Sequence, residues 1–335
     1  MTPATRRLAG LDLARGLAVA GMVVAHTADE EAWPLLEHAH GHPSALFAVL
    51  AGVTISLMLG GRGGPGDPVA VRHTRIRVAV RAAVLIAMGL MLDAALPVIA
   101  VILHHLGLMM LLALAFLRWR AWGLATAGAT CLVLGSTVVA AIRPEAPWDA
   151  LPLAEALWST RYPVVSWLGY VLIGMTVGRL DLRRGSTLAG LAGAGAGAVA
   201  AGLAASAVLD PRWGSIAAHA YTPAEMTVNV GVAMLVIAAT GALAPLARSW
   251  LSPVAALGAM ALTAYVAHLL VIAAVGPEMV REPSTVAGAV LLVVLLASAW
   301  AWRRWRGQGP LERGLTVMSS AAADGDLAAR EWARQ

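Results

Sequence analysis

The sequence predicts an all-α fold, a polytopic transmembrane bundle of about ten helical spans. Of its 335 residues, 59% are hydrophobic and only 13% are charged, whereas a soluble domain carries about 25% charged residues. Several apolar runs approach the roughly 20 residues that a helix needs to cross a bilayer core. Because lipid offers no hydrogen-bond partners, the backbone of such a run must satisfy its own polar groups, as a helix does.

The candidate spans follow one another along most of the chain. They are residues 9–28, 44–60, 80–96, 98–117, 122–142, 163–180, 187–209, 228–247, 254–275 and 284–302. Only Pro97 separates the third span from the fourth, so the pattern also allows one bent hairpin there. We divide the chain into a membrane domain, residues 1–306, and a polar cytosolic tail, residues 307–335, which is predicted to be partly disordered.

Arginine orients the predicted spans. The chain has no lysine, and with a cytosolic N-terminus sixteen arginines fall in inner segments and four in outer loops. An excess of basic residues in cytosolic segments sets the orientation of membrane proteins. The sequence therefore predicts that both termini are cytosolic and that the protein lies in the cytoplasmic membrane of the cell. We attribute the use of arginine in place of lysine to codon usage, so the net charge of +5 says little about nucleic acid, and no nucleic-acid partner is expected.

Ionisable side chains cluster at one depth, near the predicted outer face. Such groups are costly inside a membrane, and they usually either pair or take part in function. Because several separate spans each bring one to the same depth, the pattern predicts a buried polar site for substrate. The residues in the spans are His26, Asp93, His104, His105 and His268.

The first outer loop carries the densest set of candidate residues, in the stretch "HTADEEAWPLLEHAHGHP". Neutral imidazole accepts a proton near neutral pH, so His38 or His26 is a candidate general base. Trp33 and Glu37 are candidate substrate contacts in the same loop.

The alternation of His38, His40 and His42 also allows a metal site if the backbone is extended. Zinc sites normally draw a fourth ligand from a distant element, and no matching motif is visible, so no metal is expected. A solvated loop remains the alternative for His40 and His42. Cys131 is the only cysteine, which excludes an internal disulfide.

Arginines at the inner face are candidates for binding an anionic ligand. Arg15 follows Asp12 by three residues, so the two share a helix face and favour an interfacial ion pair. Arg15 could alternatively attract phosphate groups together with the arginines before the third span. Those arginines, which also supply orienting charge, are Arg72, Arg75, Arg77 and Arg81.

Several stretches resemble the transmembrane acyltransferase superfamily. "RLAGLDLARGLAVAGMVVAH" is similar to the first helix of acyltransferase-3 proteins, and also to that of the heparan-α-glucosaminide N-acetyltransferase and YeiB-like (DUF418) group. "HGHPSALFAVLAGVTISL", "ILHHLGLMMLLALA", "YPVVSWLGYVLIGMTVGRLDL" and "LGAMALTAYVAHLLVI" favour the second group. The stretches follow the order of that group, and the resemblance covers most of residues 6–300.

The resemblance implies transfer of an acetyl group from cytosolic acetyl-CoA to a sugar amine on the far side of the membrane. The catalytic histidine of the glucosaminide group lies in a His-Ala pair before the second helix, which corresponds to His38 and Ala39 here. The group has asparagine where this chain has His26, so His26 could instead be the base, as in acyltransferase-3 proteins. An acyl-histidine intermediate is an open alternative.

We therefore expect an integral membrane acyltransferase that uses acetyl-CoA, or another acyl-CoA, and acts on a hydroxyl or amine of a sugar or envelope glycan. The alternative is a proton-coupled transporter in which Asp93 and the histidines form a relay, although no convincing inverted repeat supports it. A scaffold without catalysis would leave the convergence of histidines unexplained. The expected partners are the lipid bilayer, acyl-CoA and an extracytosolic acceptor, and a homodimer is left open.

Overall fold

The computed structural model describes residues 8–29, 32–33, 40–61, 67–142, 162–248 and 250–332. Every regular element within these ranges is helical, which confirms the all-α prediction. In chain order the helices are α1 (Ala9–Thr27), α2 (His42–Met58), α3 (Pro68–Ala95), α4 (Leu103–Ala113), α5 (Ala121–Thr130), α6 (Ser136–Ile142), α7 (Val164–Val177), α8 (Gly185–Val208), α9 (Pro211–Gly214), α10 (Pro223–Ala242), α11 (Ser252–Ala259), α12 (Ala261–Val275), α13 (Glu278–Arg281), α14 (Thr285–Arg306) and α15 (Pro310–Trp332). A 3₁₀ turn, Leu114–Phe116, extends α4, and a π turn, Cys131–Gly135, joins α5 to α6.

The protein is a multi-pass membrane protein. Among the described residues six helices are long and apolar enough to cross a bilayer: α1, α3, joined α5–α6, α8, α10 and α14. Helices α11 and α12 form a seventh span if the bent pair is counted as one, and α2, α7 and α4 with its 3₁₀ turn are shorter apolar helices. These elements occupy the stretches predicted as spans, but length and composition support six or seven spans. The count of ten and the cytosolic placement of both termini stay predictions.

Among the six long spans of the described residues, α1 and α10 are the most buried. Buried residues make up 56% of the apolar window of α1 and 61% of that of α10, but only 17% in α8 and 22% in α14. The exposed faces of the outer helices carry large apolar side chains such as Val208 and Val286. Extended exposed apolar surface of this kind suits contact with lipid. Of these six spans, α1 and α10 are therefore the two whose polar residues are best screened from the bilayer.

Glycine allows the backbones of α2 and α7 to touch. A Cβ atom added at Gly52 would lie 1.9 Å from the carbonyl oxygen of Val171, and one added at Gly174 would lie 1.9 Å from that of Val49. No side chain could fit at either position unless the helices moved apart. Close contact through small residues is a typical source of helix association in membranes.

Helix α3 begins earlier than the predicted third span, at Pro68 rather than residue 80. The Asp67 side chain accepts a hydrogen bond from the backbone N–H of Val69, and Pro68 occupies the first helical position. An acidic N-cap followed by proline is a common helix start. The arginines predicted to precede the third span therefore lie on α3 itself.

The predicted ninth span, 254–275, is broken between α11 and α12 by a bend of 87°. Glu312, on α15, accepts hydrogen bonds from the backbone N–H groups of Leu262 (2.8 Å) and Thr263 (3.0 Å) and from the Thr263 hydroxyl (2.6 Å). A helix start inside a membrane protein must find acceptors for its first N–H groups. The break therefore depends on a carboxylate about 50 residues away in the chain, which no local pattern reveals.

The polar tail, predicted to be partly disordered, forms α15 over Pro310–Trp332 and packs along α3. Arg72 makes two hydrogen bonds of 2.6 Å to the Asp326 carboxylate, and His73 lies 3.1 Å from that of Asp324. These ion pairs join α15 to α3, and the partial disorder of the tail stays a prediction.

Candidate functional site

A cavity of about 230 Å³ lies at the end of the bundle where α1 ends and α2 begins, hereafter the histidine end. The loop between α3 and α4, the segments before α7 and α10, and helices α12 and α13 complete its lining. Its polar lining residues are His26, His40, Ser44, Tyr162, His219 and Tyr265. The cavity therefore gathers titratable side chains from segments that are far apart in the sequence.

His26 and His268 form a pair beside this cavity. The His26 Nδ1 and His268 Nε2 atoms are 3.2 Å apart, and the two rings stack with centroids 5.4 Å apart. His268 is fully buried, and the Tyr265 ring packs edge-on against it. A hydrogen bond between two imidazoles requires an N–H on one ring and a lone pair on the other. When the Nδ1–H of His26 donates, the Nε2 of neutral His26 is left as a proton acceptor.

Aromatic rings pack tightly on the side of the cavity formed by Tyr162. Trp167 meets Tyr162 edge-on at 4.9 Å between centroids, and His219 meets the same tyrosine at 6.1 Å. His105 lies 5.7 Å from Tyr162, and its neighbour His104 lies 4.1 Å from His105. Edge-to-face packing of this kind holds rings in fixed orientations.

A buried carboxylate holds the loop that precedes α10. Glu225 accepts hydrogen bonds from the backbone N–H groups of His219 (2.9 Å) and Tyr221 (2.5 Å) and from the side-chain amide of Asn229 (3.3 Å). The Asn229 amide oxygen in turn contacts the Nδ1 atom of His42. We call Glu225 with these three partners the Glu225 clamp.

The predicted site residues are distributed unevenly around the cavity. The structure brings His26 and His268 together, and it connects His105 to the lining through Tyr162. Asp93 and His104 also lie at the histidine end, but neither is among the described lining residues. Trp33 is 62% exposed and does not line the cavity.

Two of the predicted residues, His38 and Glu37, lie outside the described residues. His40, two positions after His38, lines the cavity, whereas His42 contacts Asn229. Where the structure describes the chain, no group of three or more histidine, cysteine, aspartate or glutamate side chains is arranged to hold a metal ion.

The predicted donor-binding arginines lie at the opposite end of the bundle. Arg72 precedes Asp93 by 21 positions on α3, which corresponds to about 30 Å along a helix. Arg15 donates to Asp12 (3.1 Å) and Thr54 (2.9 Å), which supports the ion-pair interpretation.

Helix α15 lies beside these arginines. Besides the pair of Arg72 with Asp326, Arg81 donates to the hydroxyls of Ser319 (3.3 Å) and Thr316 (3.5 Å). Arg77 is close enough to Arg81 for the two charges to interact. Arg75 completes the arginine set on α3.

Sequence reasoning missed His219, Tyr162, Tyr265 and Glu225. The predicted spans 187–209 and 228–247 leave Glu225 between helices, but α10 begins at Pro223, so Glu225 belongs to its first turn. A signal was present: Thr222 and Glu225 have the spacing of a helix capping box, and the Thr222 hydroxyl does accept from the Glu225 N–H at 3.1 Å. The positions of the two tyrosines and His219 depend on tertiary packing and had no comparable signal.

Comparison with known families agrees with this architecture. The model of the heparan-alpha-glucosaminide N-acetyltransferase catalytic family matches residues 7–206, more than half of the chain. A second model, described as a protein of unknown function (DUF418), matches residues 181–318. Curated proteins and solved structures gave no significant match. The cavity draws residues from both matched regions, since His26 lies in the first and His219 in the second.

Proposed function

This chain belongs to the heparan-alpha-glucosaminide N-acetyltransferase catalytic family, and on that premise we propose that it transfers an acetyl group from acetyl-CoA across the membrane. The donor, acetyl-CoA or another acyl-CoA, binds from the cytosol. The acceptor is a hydroxyl or amine of a sugar or envelope glycan at the outer face. The observation that carries the proposal is the gathering of three histidines, His26, His40 and His219, at one cavity, with His268 paired to His26 behind it. The family favours this function over a transporter.

The proposed reaction is a direct acyl transfer. The acceptor oxygen or nitrogen attacks the thioester carbonyl carbon while a histidine takes its proton. The tetrahedral intermediate collapses, the C–S bond breaks, and the proton passes to the leaving thiolate. The products are acetylated acceptor and CoA with a free thiol, so no oxidant or metal is required.

Two histidines are candidates for the base. His38 matches the His-Ala pair of the family and lies two positions before His40, which lines the cavity. His26 lines the cavity itself, and donation from its Nδ1–H to His268 would leave its Nε2 atom as the base. The two assignments predict opposite results for the same pair of variants, as argued in the Discussion.

The donor is proposed to bind at the arginine end of the bundle. Its phosphates would meet Arg72, Arg75, Arg77 and Arg81 on α3, with Arg15 further in. A cavity of about 230 Å³ is smaller than the roughly 300–1,000 Å³ of typical ligand pockets. This size favours occupancy by the thioester and the attacking group, with the rest of CoA extending toward the arginines.

The test uses the full chain in proteoliposomes with radiolabelled acetyl-CoA, and with glucosamine or an envelope extract as acceptor. We expect label to move from CoA to acceptor in the presence of protein, and free CoA thiol to appear in equal amount. Protein carrying both His26→Ala and His38→Ala is the control, and it should transfer no more than empty liposomes. If wild-type protein forms no labelled product and binds no acetyl-CoA, the proposal is wrong.

A further inference from the structure

We propose that His219 is an additional catalytic residue, which donates a hydrogen bond from Nε2 to the acyl carbonyl oxygen as negative charge develops there. The Glu225 clamp acts as its positioning element. The inference rests on the proposed function, because it assigns a role within the same acyl transfer. It goes beyond the histidines predicted from the sequence, since His219 lies in a loop that no motif singled out.

The Glu225 clamp fixes the backbone at His219. Glu225 is 3% exposed, and its two carboxylate oxygens accept the N–H groups of His219 and Tyr221. A buried carboxylate is costly unless it is well hydrogen-bonded. Its place in the first turn of α10 also lets the positive end of the helix dipole stabilise its charge. The cost of burying Glu225 is therefore offset by a contact that determines where His219 lies.

The loop adopts a backbone conformation that is unfavourable for its residues. Among the described residues, the only positive φ angles outside glycine are those of Tyr162 (52°), His219 (62°) and Tyr221 (54°). Each such residue carries backbone strain, and residues of this kind cluster at functional sites. Tyr162 and His219 both line the cavity. The strain is thus concentrated in the residues that surround the cavity.

Tyr221 is placed to set the protonation of the His219 ring. The Tyr221 hydroxyl accepts from the backbone N–H of Tyr162 at 3.3 Å and lies 3.1 Å from the His219 Nδ1 atom. A hydroxyl whose oxygen accepts from Tyr162 still has its own proton to donate, and in the proposed arrangement it donates to Nδ1 of His219. A neutral imidazole that accepts at Nδ1 carries its proton at Nε2. His219 is then a donor in the cavity, whereas His26 or His38 is the base.

In this assignment one histidine, His26 or His38, acts as the base, and His219 acts as a hydrogen-bond donor. When the acceptor attacks, the carbonyl π electrons move to oxygen, and the His219 N–H stabilises that charge without giving up its proton. When the C–S bond breaks, the carbonyl re-forms and the hydrogen bond weakens. A donor that is oriented before the reaction stabilises the transition state more than the ground state, and one such donor typically contributes about 10²–10³ in kcat.

The kinetic test compares variants of the full chain in proteoliposomes with acetyl-CoA and glucosamine. We expect His219→Ala to lower kcat by about 100-fold with little change in the KM for acetyl-CoA. His219→Gln should recover part of this loss, since its amide can donate. Glu225→Gln should lower kcat by roughly tenfold with KM unchanged. Glu282→Gln, an exposed glutamate at the same end of the bundle, is the matched control and should behave as wild type.

A second measurement reads the ring directly and does not depend on activity. Nitrogen NMR of protein labelled with ¹⁵N-histidine, with the His219 signal identified by its loss in His219→Gln, should show the Nε2–H tautomer. Tyr221→Phe should shift that signal toward a mixture of tautomers.

The outcomes separate this inference from the proposed function. Wild-type transfer with unchanged kcat in His219→Ala, or an Nδ1–H tautomer at His219, would overturn the inference and leave the acyltransferase proposal standing. A wild-type protein without transfer would overturn both.

Discussion

At the histidine end, each residue acts together with a residue that it contacts. His26 reaches His268 across 242 positions in the sequence, and Glu225 reaches back to the loop that contains His219. The ring nitrogen that carries the proton decides whether a histidine can act as a base or as a donor, and in the pair of His26 and His268 that choice is shared between two rings. The chemistry of this end is therefore a property of the pairs.

Replacement of the proposed base tests which histidine accepts the proton. His38→Ala should lower acetyl transfer by about 10²–10⁴-fold, the usual contribution of general base catalysis, while acetyl-CoA still binds. His40→Ala and His42→Ala should lose much less. The rates are measured with radiolabelled acetyl-CoA in proteoliposomes, with binding followed separately by calorimetry.

His26→Asn is the most informative comparison, because it introduces the asparagine that the glucosaminide group, which this sequence resembles, has at this position. It should keep substantial activity if His38 is the base. An inactive His26→Asn protein together with an active His38→Ala protein would reverse the assignment and make His26 the base.

At the level of helices, close backbone contact determines how α2 and α7 pack. A methyl group at Gly174 would lie 1.9 Å from a backbone carbonyl oxygen, and a backbone atom cannot move aside as a flexible side chain can. The start of α2 and Tyr162, which lies two positions before α7, both contribute to the cavity lining. Their spacing therefore affects the site as well as the stability of the bundle.

Gly174→Ala should destabilise the protein by about 1–3 kcal/mol, the usual cost of overpacking, and lower its unfolding temperature in detergent. Gly193→Ala is the matched control, since nothing lies within 4 Å of a Cβ at that position. Thermal unfolding followed by light scattering measures both variants. Equal unfolding temperatures for the two would show that the helices separate without cost.

Helix α15 affects the proposed donor site because its Asp326 pairs with Arg72. Replacing Arg72, Arg75 and Arg77 with glutamine should weaken CoA binding, and wild-type affinity should fall as salt screens the charges. Asp326→Asn should strengthen binding several-fold at low salt, because Arg72 then loses its competing carboxylate. Calorimetry with CoA measures these affinities.

Arg120→Gln, which changes an exposed arginine elsewhere in the chain, is the control for a general effect of charge. If CoA affinity is the same in the triple variant, in Asp326→Asn and in wild type, the arginines on α3 serve only to orient the protein.

Across the whole molecule, the two ends of the bundle differ in chemistry. Histidine and tyrosine gather at one end, and arginines and the acidic residues of α15 gather at the other. A donor that enters from the arginine end and an acceptor that enters from the histidine end would meet at the cavity. This arrangement requires the histidine end to face away from the cytosol.

Cysteine labelling in intact cells tests that orientation. In a Cys131→Ala background, Ala217→Cys, in the exposed loop before α10, should react with a membrane-impermeant maleimide. Ser186→Cys, at the start of α8, should react only after the cells are opened. The reverse pattern would place the arginine end outside and remove the basis for a cytosolic donor.

Much of this arrangement could be predicted from composition and periodicity, because a span must be apolar along its whole length. The stretches that became α1, α2, α7 and α8 were each predicted to within a few residues. The start of helix α3 was predicted too late in the sequence, because a run of arginines is more typical of a loop than of a membrane span. The bend before α12 was missed because its stabilising carboxylate comes from α15.

The sequence by itself determined the helical class and the membrane environment, and it predicted a common depth for the histidines, since these follow from local composition and from the cost of placing charge in lipid. Only the tertiary structure decided which histidines meet. The pairing of His26 with His268 and the clamping of His219 by Glu225 join segments that no local pattern connects. Hydrogen bonds act over about 3 Å, so a shared depth in the membrane does not determine partners, and helix packing does.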